Sequence, residues 1–300
     1  MNWEKHITDF EVYLSLEKRL SKNTTVGYVH DIKVFAEYMQ EQYQCTPNQV
    51  LSQHIESFLA TLLDRKLSKT SQARMLSSLR SFYKFMLLNK HIETMPTEFI
   101  DNPKIGRKLP EVLSAKEIDD IINAIDLSDK FGHRNQAIVE TLYGCGLRVS
   151  ELTTLRLSDL FFNDGFIRVI GKGNKQRLVP IGEGAIKSIE LYISCRKLLK
   201  YSPKSGDILF LNNNGHPLTR VMIFYIVRDA AIRAGITKHI SPHTFRHSFA
   251  THLLEGGVDI RQVQEMLGHE SIITTEIYTH LDRKHLRDTL AKFHPLGENN

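Results

Sequence analysis

From Trp3 to Asn89 the apolar residues recur every three or four positions, as in Phe10, Tyr13, Leu14 and then Tyr28, Ile32, Phe35, Met39, and nowhere alternate as a strand on a core would. An apolar face with a period of 3.6 is buried by packing helix on helix, so this part of the chain is committed to an α-helical module. Polar punctuation at "SKNTT" (21–25), "CTPNQ" (45–49) and "DRKLSKT" (64–70) divides it into about four helices, with Ser and Asn available as N-caps.

The stretch "TMPTEFIDNPKIGRKLPEVL" (94–113) has three prolines, no period and a basic patch, and reads as a linker. Ser114 then opens "SAKE" (114–117), a capping box that starts a new helical region. The expected division is a domain over 1–93, a linker over 94–113 and a second domain over 114–300, and 300 residues suffice for two cores. In the second domain "DGFIRVIGKGNKQRLVPIG" (164–182) places two β-rich runs around a Gly-Lys-Gly-Asn turn, the signature of a β-hairpin. Helical patterns resume over 185–199 and 221–234. Gly268 closes the helix ending "VQEMLG", and Ser271 caps the next, which carries "IITTEIYTHL". The fold class is therefore mainly α, with a small β-hairpin or sheet in the second domain.

The 39 Lys and Arg against 34 Asp and Glu give a net charge of +5, which favours a polyanionic partner but leaves the weight on a local basic patch. Cys45, Cys145 and Cys195 are odd in number and far apart, which excludes a disulfide framework or a zinc ribbon and points to a reducing compartment, the cytoplasm. The first residues, "MNWEKHITDF", lack an apolar targeting core, and the longest apolar run, 221–227, is too short to span a bilayer, so no membrane is expected.

Eight of the 14 histidines fall between His239 and His294, three of them in "SPHTFRHSFATHLL" (241–254). Ser241 and Pro242 are a cap and a first helical residue, so His243 and Arg246 lie in the first turns, where free backbone N–H groups and the macrodipole favour an anion. Phe245, Phe249 and Leu253 take another face, the one to bury. His243 and His247 have the spacing of a helical zinc pair. Between them, however, stand Thr244, Phe245 and Arg246 rather than a glutamate, and a guanidinium repels a divalent cation, so no metal is expected. Arginine selects phosphate. Taken alone, the segment reads still better as a core helix with polar edges.

It does not stand alone. "GCGLRVSEL" (144–152), "VIGKGNKQRLVP" (169–180), "HTFRHSFATHLLEGG" (243–257), "DIRQVQEMLGH" (259–269) and "TTEIYTH" (274–280) occur in the order and at the spacings of the tyrosine recombinases, the phage integrase family. The chain most closely resembles the Xer-type members, which resolve chromosome dimers. The stretch "LSKNTTVGYVHDIKVFAEYM" is similar to the family's SAM-like core-binding domain, and the tail ends in "HP" at 294–295, so the resemblance covers nearly the whole chain.

The resemblance implies a site-specific recombinase whose two domains form a C-shaped clamp on double-stranded DNA. It implies that Tyr278 attacks a phosphate to form a 3'-phosphotyrosyl bond, which conserves the energy of the broken linkage; the sequence has no Walker motif, acidic metal cluster or nucleotide-binding glycine pattern, so no ATP, metal or other cofactor is expected. A phenol with pKa near 10 is ionised about once in a thousand at pH 7, a cost of about 4 kcal/mol that nearby cations must offset. Arg148 and Arg246 would clamp the non-bridging oxygens, with Glu151, at i+3, holding Arg148 in place. Lys172 is the candidate general acid, with Lys175 as its rival, and His243 and His269 would serve the same phosphate with the division of acid and base left open. His247, His252 and His280 are assigned to packing or support, and Tyr28, Tyr143 and Tyr225 to ordinary half-buried helix positions.

The tail 281–297, with Leu286, Leu290 and Phe293 on one side, is expected to pack into a neighbouring subunit of a homo- or hetero-tetramer. By the same resemblance the target is a dif-like site in the nucleoid, with a second Xer recombinase and a septal DNA translocase as further candidate partners. The competing readings are a mobile-element integrase and a type IB topoisomerase-like enzyme of the same chemistry.

Overall fold

The computed structural model describes residues 2–103, 111–198, 203–268, 289–290 and 293–295, without the side chains of Lys172 and Lys204. The chain divides into two compact units, Met1–Lys108 and Leu109–Asn300. Among the described residues no helix is long and apolar enough to cross a membrane.

The first unit holds α1 (Trp3–Val12), α2 (Lys22–Tyr43), α3 (Ser52–Asp64) and α4 (Lys69–Leu88). Their starts follow the caps in the sequence: Ser21 Oγ accepts from the Thr24 N–H at 3.3 Å, and Ser68 Oγ from the Ser71 N–H at 3.2 Å. The α1 register runs on through a π-helical turn at Tyr13–Glu17, which keeps Tyr13 and Leu14 buried. Trp3, Phe10, Phe35 and Phe82 form the aromatic centre, with Trp3 stacked on Phe82 at 6.0 Å and Phe10 edge-on to it at 5.3 Å. Among the described residues of this unit one carboxylate lies inside: Asp31 is buried, pairs with the Arg74 guanidinium and accepts from Ser78 Oγ at 2.7 Å, which ties α2 to α4. Both ends of the stretch read as a linker are taken up by cores. Ile100 packs in the first unit, and Leu113 in the second, where its N–H donates to Ser248 Oγ at 2.9 Å.

The second unit is built on α5 (Ala115–Asn123), α6 (Gly132–Gly144), α7 (Val149–Thr154), a sheet of β1 (Leu160–Phe161), β2 (Phe166–Ile170) and β3 (Gln176–Pro180), then α8 (Glu183–Arg196), α9 (Arg220–Arg233), α10 (Pro242–Glu255) and α11 (Ile260–Leu267). Ser114 and Glu117 make the expected capping box at the start of α5. Helix α6 is buried on every side from Ala137 to Gly144, between α8 and α10, and Thr141 satisfies its hydroxyl on the Ala137 carbonyl at 2.6 Å. Strands β2 and β3 form the expected hairpin, in the register Phe166↔Pro180 to Ile170↔Gln176. The third strand, β1, pairs Leu160 with Ile167 and Phe161 with Phe166. Two residues are too few to show a period, so the sequence carried no mark of it.

Candidate active site

Helix α10 starts as its sequence dictates, with Pro242 in the first turn and the Ser241 N–H donating to Thr244 Oγ1 at 3.1 Å. Phe245, Phe249 and Leu253 are fully buried, each stabilising the unit by roughly 1.5–3 kcal/mol. That burial sets the rotation of the helix. It leaves His243 and His247 exposed and turns Arg246 inward, with only 8% of its surface accessible. The Arg246 guanidinium is gripped by backbone: Nη1 donates to the Gly146 carbonyl and Nη2 to the Leu267 carbonyl, both at 2.7 Å. Gly146 has φ +57°, and a Cβ there would lie 2.5 Å from the Phe249 ring, so the turn that offers this carbonyl requires glycine.

Arg148 is the N-cap of α7, and Glu151 is three residues on. The Arg148 N–H donates to Glu151 Oε2 at 2.8 Å and its Nη1 to Oε1 at 2.9 Å, so one carboxylate holds both backbone and side chain. Arg148 Nη2 donates to the Gly268 carbonyl at 3.2 Å, and its side chain stays about a third exposed, at 31%. Both guanidiniums therefore rest on consecutive carbonyls, Leu267 and Gly268, at the C-terminal end of α11. Among the described residues each uses two of its five N–H donors there or on its other partners, which leaves donors for a planar anion.

Burial by itself raises the Glu151 carboxyl. The hydrogen bond and charge of Arg177, then the bonds from Arg148, outweigh it and hold the group below the ordinary carboxylate range. Arg246 is pushed down to about 10, first by burial and then by the Arg148 charge, while Glu151 pulls it back up. It remains a cation at neutral pH. Cations kept apart from bulk water act on charge far more strongly than solvated ones, which suits the growing charge of a phosphoryl-transfer transition state.

Lys172 stands in the hairpin turn, closed by the Gly171 N–H on the Lys175 carbonyl at 2.8 Å, and Lys175 is exposed. The Lys172 side chain, His269, Ser271, Tyr278 and His280 lie outside the described residues, as do 281–288 of the tail. Of the tail residues described, Thr289, Leu290 and His294 are buried and Phe293 is half-buried, and Leu290 and Phe293, expected to pack into a neighbouring subunit, join the apolar core of their own unit instead. Tyr143, expected half-buried, is fully buried because α6 is enclosed on all sides, and its hydroxyl lies 2.8 Å from His252 Nδ1. Tyr225, expected half-buried, is 48% exposed because its face of α9 points outward.

His294 packs against Tyr143 and Phe249, with ring centroids at 4.6 and 5.3 Å, and burial, then the neighbouring His252, lowers its pKa to about 3. A histidine held neutral in the fold and titrating near 6.5 when unfolded contributes stability that is complete above 6.5 and declines as the pH falls toward 3. Between pH 7.5 and 5 this one group is expected to cost about 2 kcal/mol. Urea unfolding at the two pH values should show that difference in the wild type relative to His294→Phe, and equal pH dependence in the two proteins would refute it.

One residue of this cluster was missed at the level of sequence. Arg177, on β3, is buried and clasps Glu151 with two bonds, Nη1 to Oε1 at 2.8 Å and Nη2 to Oε2 at 3.0 Å, while its Nε donates to the Met266 carbonyl at 3.1 Å. The signal was there: in "QRLVP" it shares the inward face with Val179 and pairs across the ladder with Val169, and an arginine on a core face needs a carboxylate.

The model of the phage integrase family matches residues 111–285, and that of the phage integrase N-terminal SAM-like domain matches residues 7–90. The chain is 44% identical over 300 residues to the tyrosine recombinase XerD of Chlorobaculum tepidum, covering 98% of each chain. Among solved structures it is similar to the XerA recombinase, at 31% identity with a TM-score of 0.50 over 98% of this chain and 99% of that one. It shares the fold of the XerH site-specific recombinase bound to a palindromic difH substrate, with a TM-score of 0.71 at 24% identity over 89% of this chain and 79% of that one. The fold, the pair of anchored arginines and these matches together place the chain in the phage integrase family, as a site-specific tyrosine recombinase of the Xer type that cuts and rejoins DNA.

Proposed function

We propose that the enzyme cleaves DNA through a 3'-phosphotyrosyl bond to Tyr278 and resolves chromosome dimers at a dif-like site. The observation that carries this reading is the pair Arg148 and Arg246, held on adjacent carbonyls at the end of α11, directly before His269 and ten residues before Tyr278 in sequence. The two guanidiniums take the non-bridging oxygens of the scissile phosphate, and their charge offsets part of the cost of ionising the phenol. Glu151 orients Arg148. Lys172 delivers the proton to the departing 5' oxygen from the hairpin turn, and His243, at the exposed start of α10, shares the phosphate with His269. A 5' hydroxyl from a second duplex then attacks the phosphotyrosine, which forms the exchanged linkage and releases the tyrosine.

In this reading the first unit serves as the SAM-like DNA-binding domain and the second as the catalytic domain. Four protomers act on two duplexes in the cytoplasm, on the nucleoid. The XerH structure with a difH substrate supports the dif-like target. The test is a nicked duplex carrying a candidate site from the chromosome of origin, which traps the cleaved state because the short 5' fragment diffuses away. The wild type is expected to form a covalent protein–DNA adduct that is lost in Tyr278→Phe, and an adduct that persists in that variant overturns the assignment.

A further inference from the structure

We propose that Arg177 is a positioning residue of the reaction: it neutralises Glu151, so that the same carboxylate can orient Arg148 without cancelling its charge toward the phosphate. This rests on the reading of Arg148 and Arg246 as the phosphate clamp. Among the described residues the cluster contains three guanidiniums and one carboxylate, linked by Arg177 to Glu151, Arg148 to Glu151, and Arg246 beside them on the same helix end. These four groups sum to two positive charges, which face the two negative charges of a phosphodiester under attack, the one it already carries and the one brought by the phenolate oxygen.

The geometry divides the work unequally. Arg177 is 9% exposed at its side chain and makes both forks of the planar pair with Glu151, whereas Arg148 is 31% exposed and bonds Oε1 alone through its side chain. The inner arginine takes the carboxylate's charge, and the outer one takes its direction. Without Arg177, Glu151 would have Arg148 as its one remaining cationic partner, and the buried carboxylate would draw that guanidinium into a closed pair and leave the site one charge short. Arg177 also joins the two halves of the site. Its Nε holds the Met266 carbonyl, Arg246 the Leu267 carbonyl and Arg148 the Gly268 carbonyl, three consecutive acceptors at the helix end that leads into His269. Gly268, at φ +64°, lies against the Arg177 side chain, where a Cβ would sit 3.0 Å from Cδ. A larger residue there would both strain this left-handed turn and press on the Arg177 side chain.

A role in charge balance responds to the charge of the substrate, whereas a merely structural one does not. Single-turnover cleavage by saturating enzyme would be compared on an ordinary nicked duplex and on one whose scissile phosphate has a methyl group in place of a non-bridging oxygen, which removes one negative charge. Arg177→Met is expected to lose ~100-fold on the ordinary duplex and less than ~10-fold on the methylphosphonate, because the charge missing from the protein is then missing from the substrate as well. Equal losses on the two substrates would overturn the proposal. Should Arg177→Met fail to fold, the double variant Glu151→Gln/Arg177→Met leaves no unpaired buried carboxylate and restores the sum of two charges. Its ratio between the substrates is expected to equal that of the wild type, and a shift toward the methylphosphonate would overturn the proposal. Arg148→Ala is the control for the underlying reading. If it cleaves normally, the phosphate clamp itself is wrong. If it is inactive while Arg177→Met shows no preference between the substrates, only the role of Arg177 falls.

Discussion

Arg246→Ala is expected to slow DNA cleavage by ~10²–10³-fold, with a much smaller effect on DNA affinity, since a well-aimed donor to a developing oxyanion is worth about 2.7–4 kcal/mol and each 1.36 kcal/mol is a factor of ten in rate. The expectation comes from how the side chain is held. Its guanidinium spans the Gly146 and Leu267 carbonyls at 2.7 Å each, so its orientation is set before DNA arrives and no rotamer entropy is lost at the moment of reaction. Arg246→Lys keeps the charge, but a single ammonium cannot bridge two carbonyls and still present a planar pair of donors, so it is expected to recover only part of the loss. Single-turnover rates on a nicked duplex at saturating enzyme measure the effect. A loss below tenfold in a folded Arg246→Ala protein would remove Arg246 from the reaction.

Glu151→Leu is expected to destabilise the second unit by about 3–5 kcal/mol, because it leaves Arg177 as a buried cation without its carboxylate. For a domain of this size that corresponds to a fall in Tm of roughly 6–20 °C. The pH dependence has a definite sign. The Glu151 carboxyl sits below its ordinary value in the fold, chiefly through Arg177 acting against burial, so its contribution is complete above about 4.5 and is lost as the pH falls through the folded value. The stability gap between the wild type and Glu151→Leu should therefore be full at pH 7 and shrink in acid. Calorimetry across that range checks it, and a gap that widened on acidification would contradict the ion-pair account. Adding Arg177→Met to Glu151→Leu should cost less than the sum of the two single changes, because the second change removes the charge that the first left unpaired.

Much of the architecture was legible because its causes are local. The four helices of the first unit follow from apolar spacing and from Ser21 and Ser68 as caps, and the start of α5 follows from Ser114 and Glu117. The hairpin follows from two β-rich runs around Gly173, at φ +71°. The pairing of Arg148 with Glu151 is likewise a matter of three residues on one short helix. What escaped notice was either too short to have a period, as with β1, or disguised by its neighbours, as with Arg177 between the basic loop of the hairpin and an apolar strand.

The periodicities, caps and turn residues determined by themselves which segments are helices and strands, and the ordered motifs determined the family, because both depend on side-chain identity over a few residues. Only the tertiary structure decided what holds the arginines. Arg246 reaches a carbonyl 100 residues away, Arg177 one 89 away and Arg148 one 120 away, and these acceptors are backbone groups. Every residue carries a carbonyl, so nothing in a sequence marks the few that will point at a guanidinium. The burial of Phe245, Phe249 and Leu253 turns α10, the left-handed turn at Gly146 aims one carbonyl, and the end of α11 supplies the others, which is a result of packing rather than of pattern.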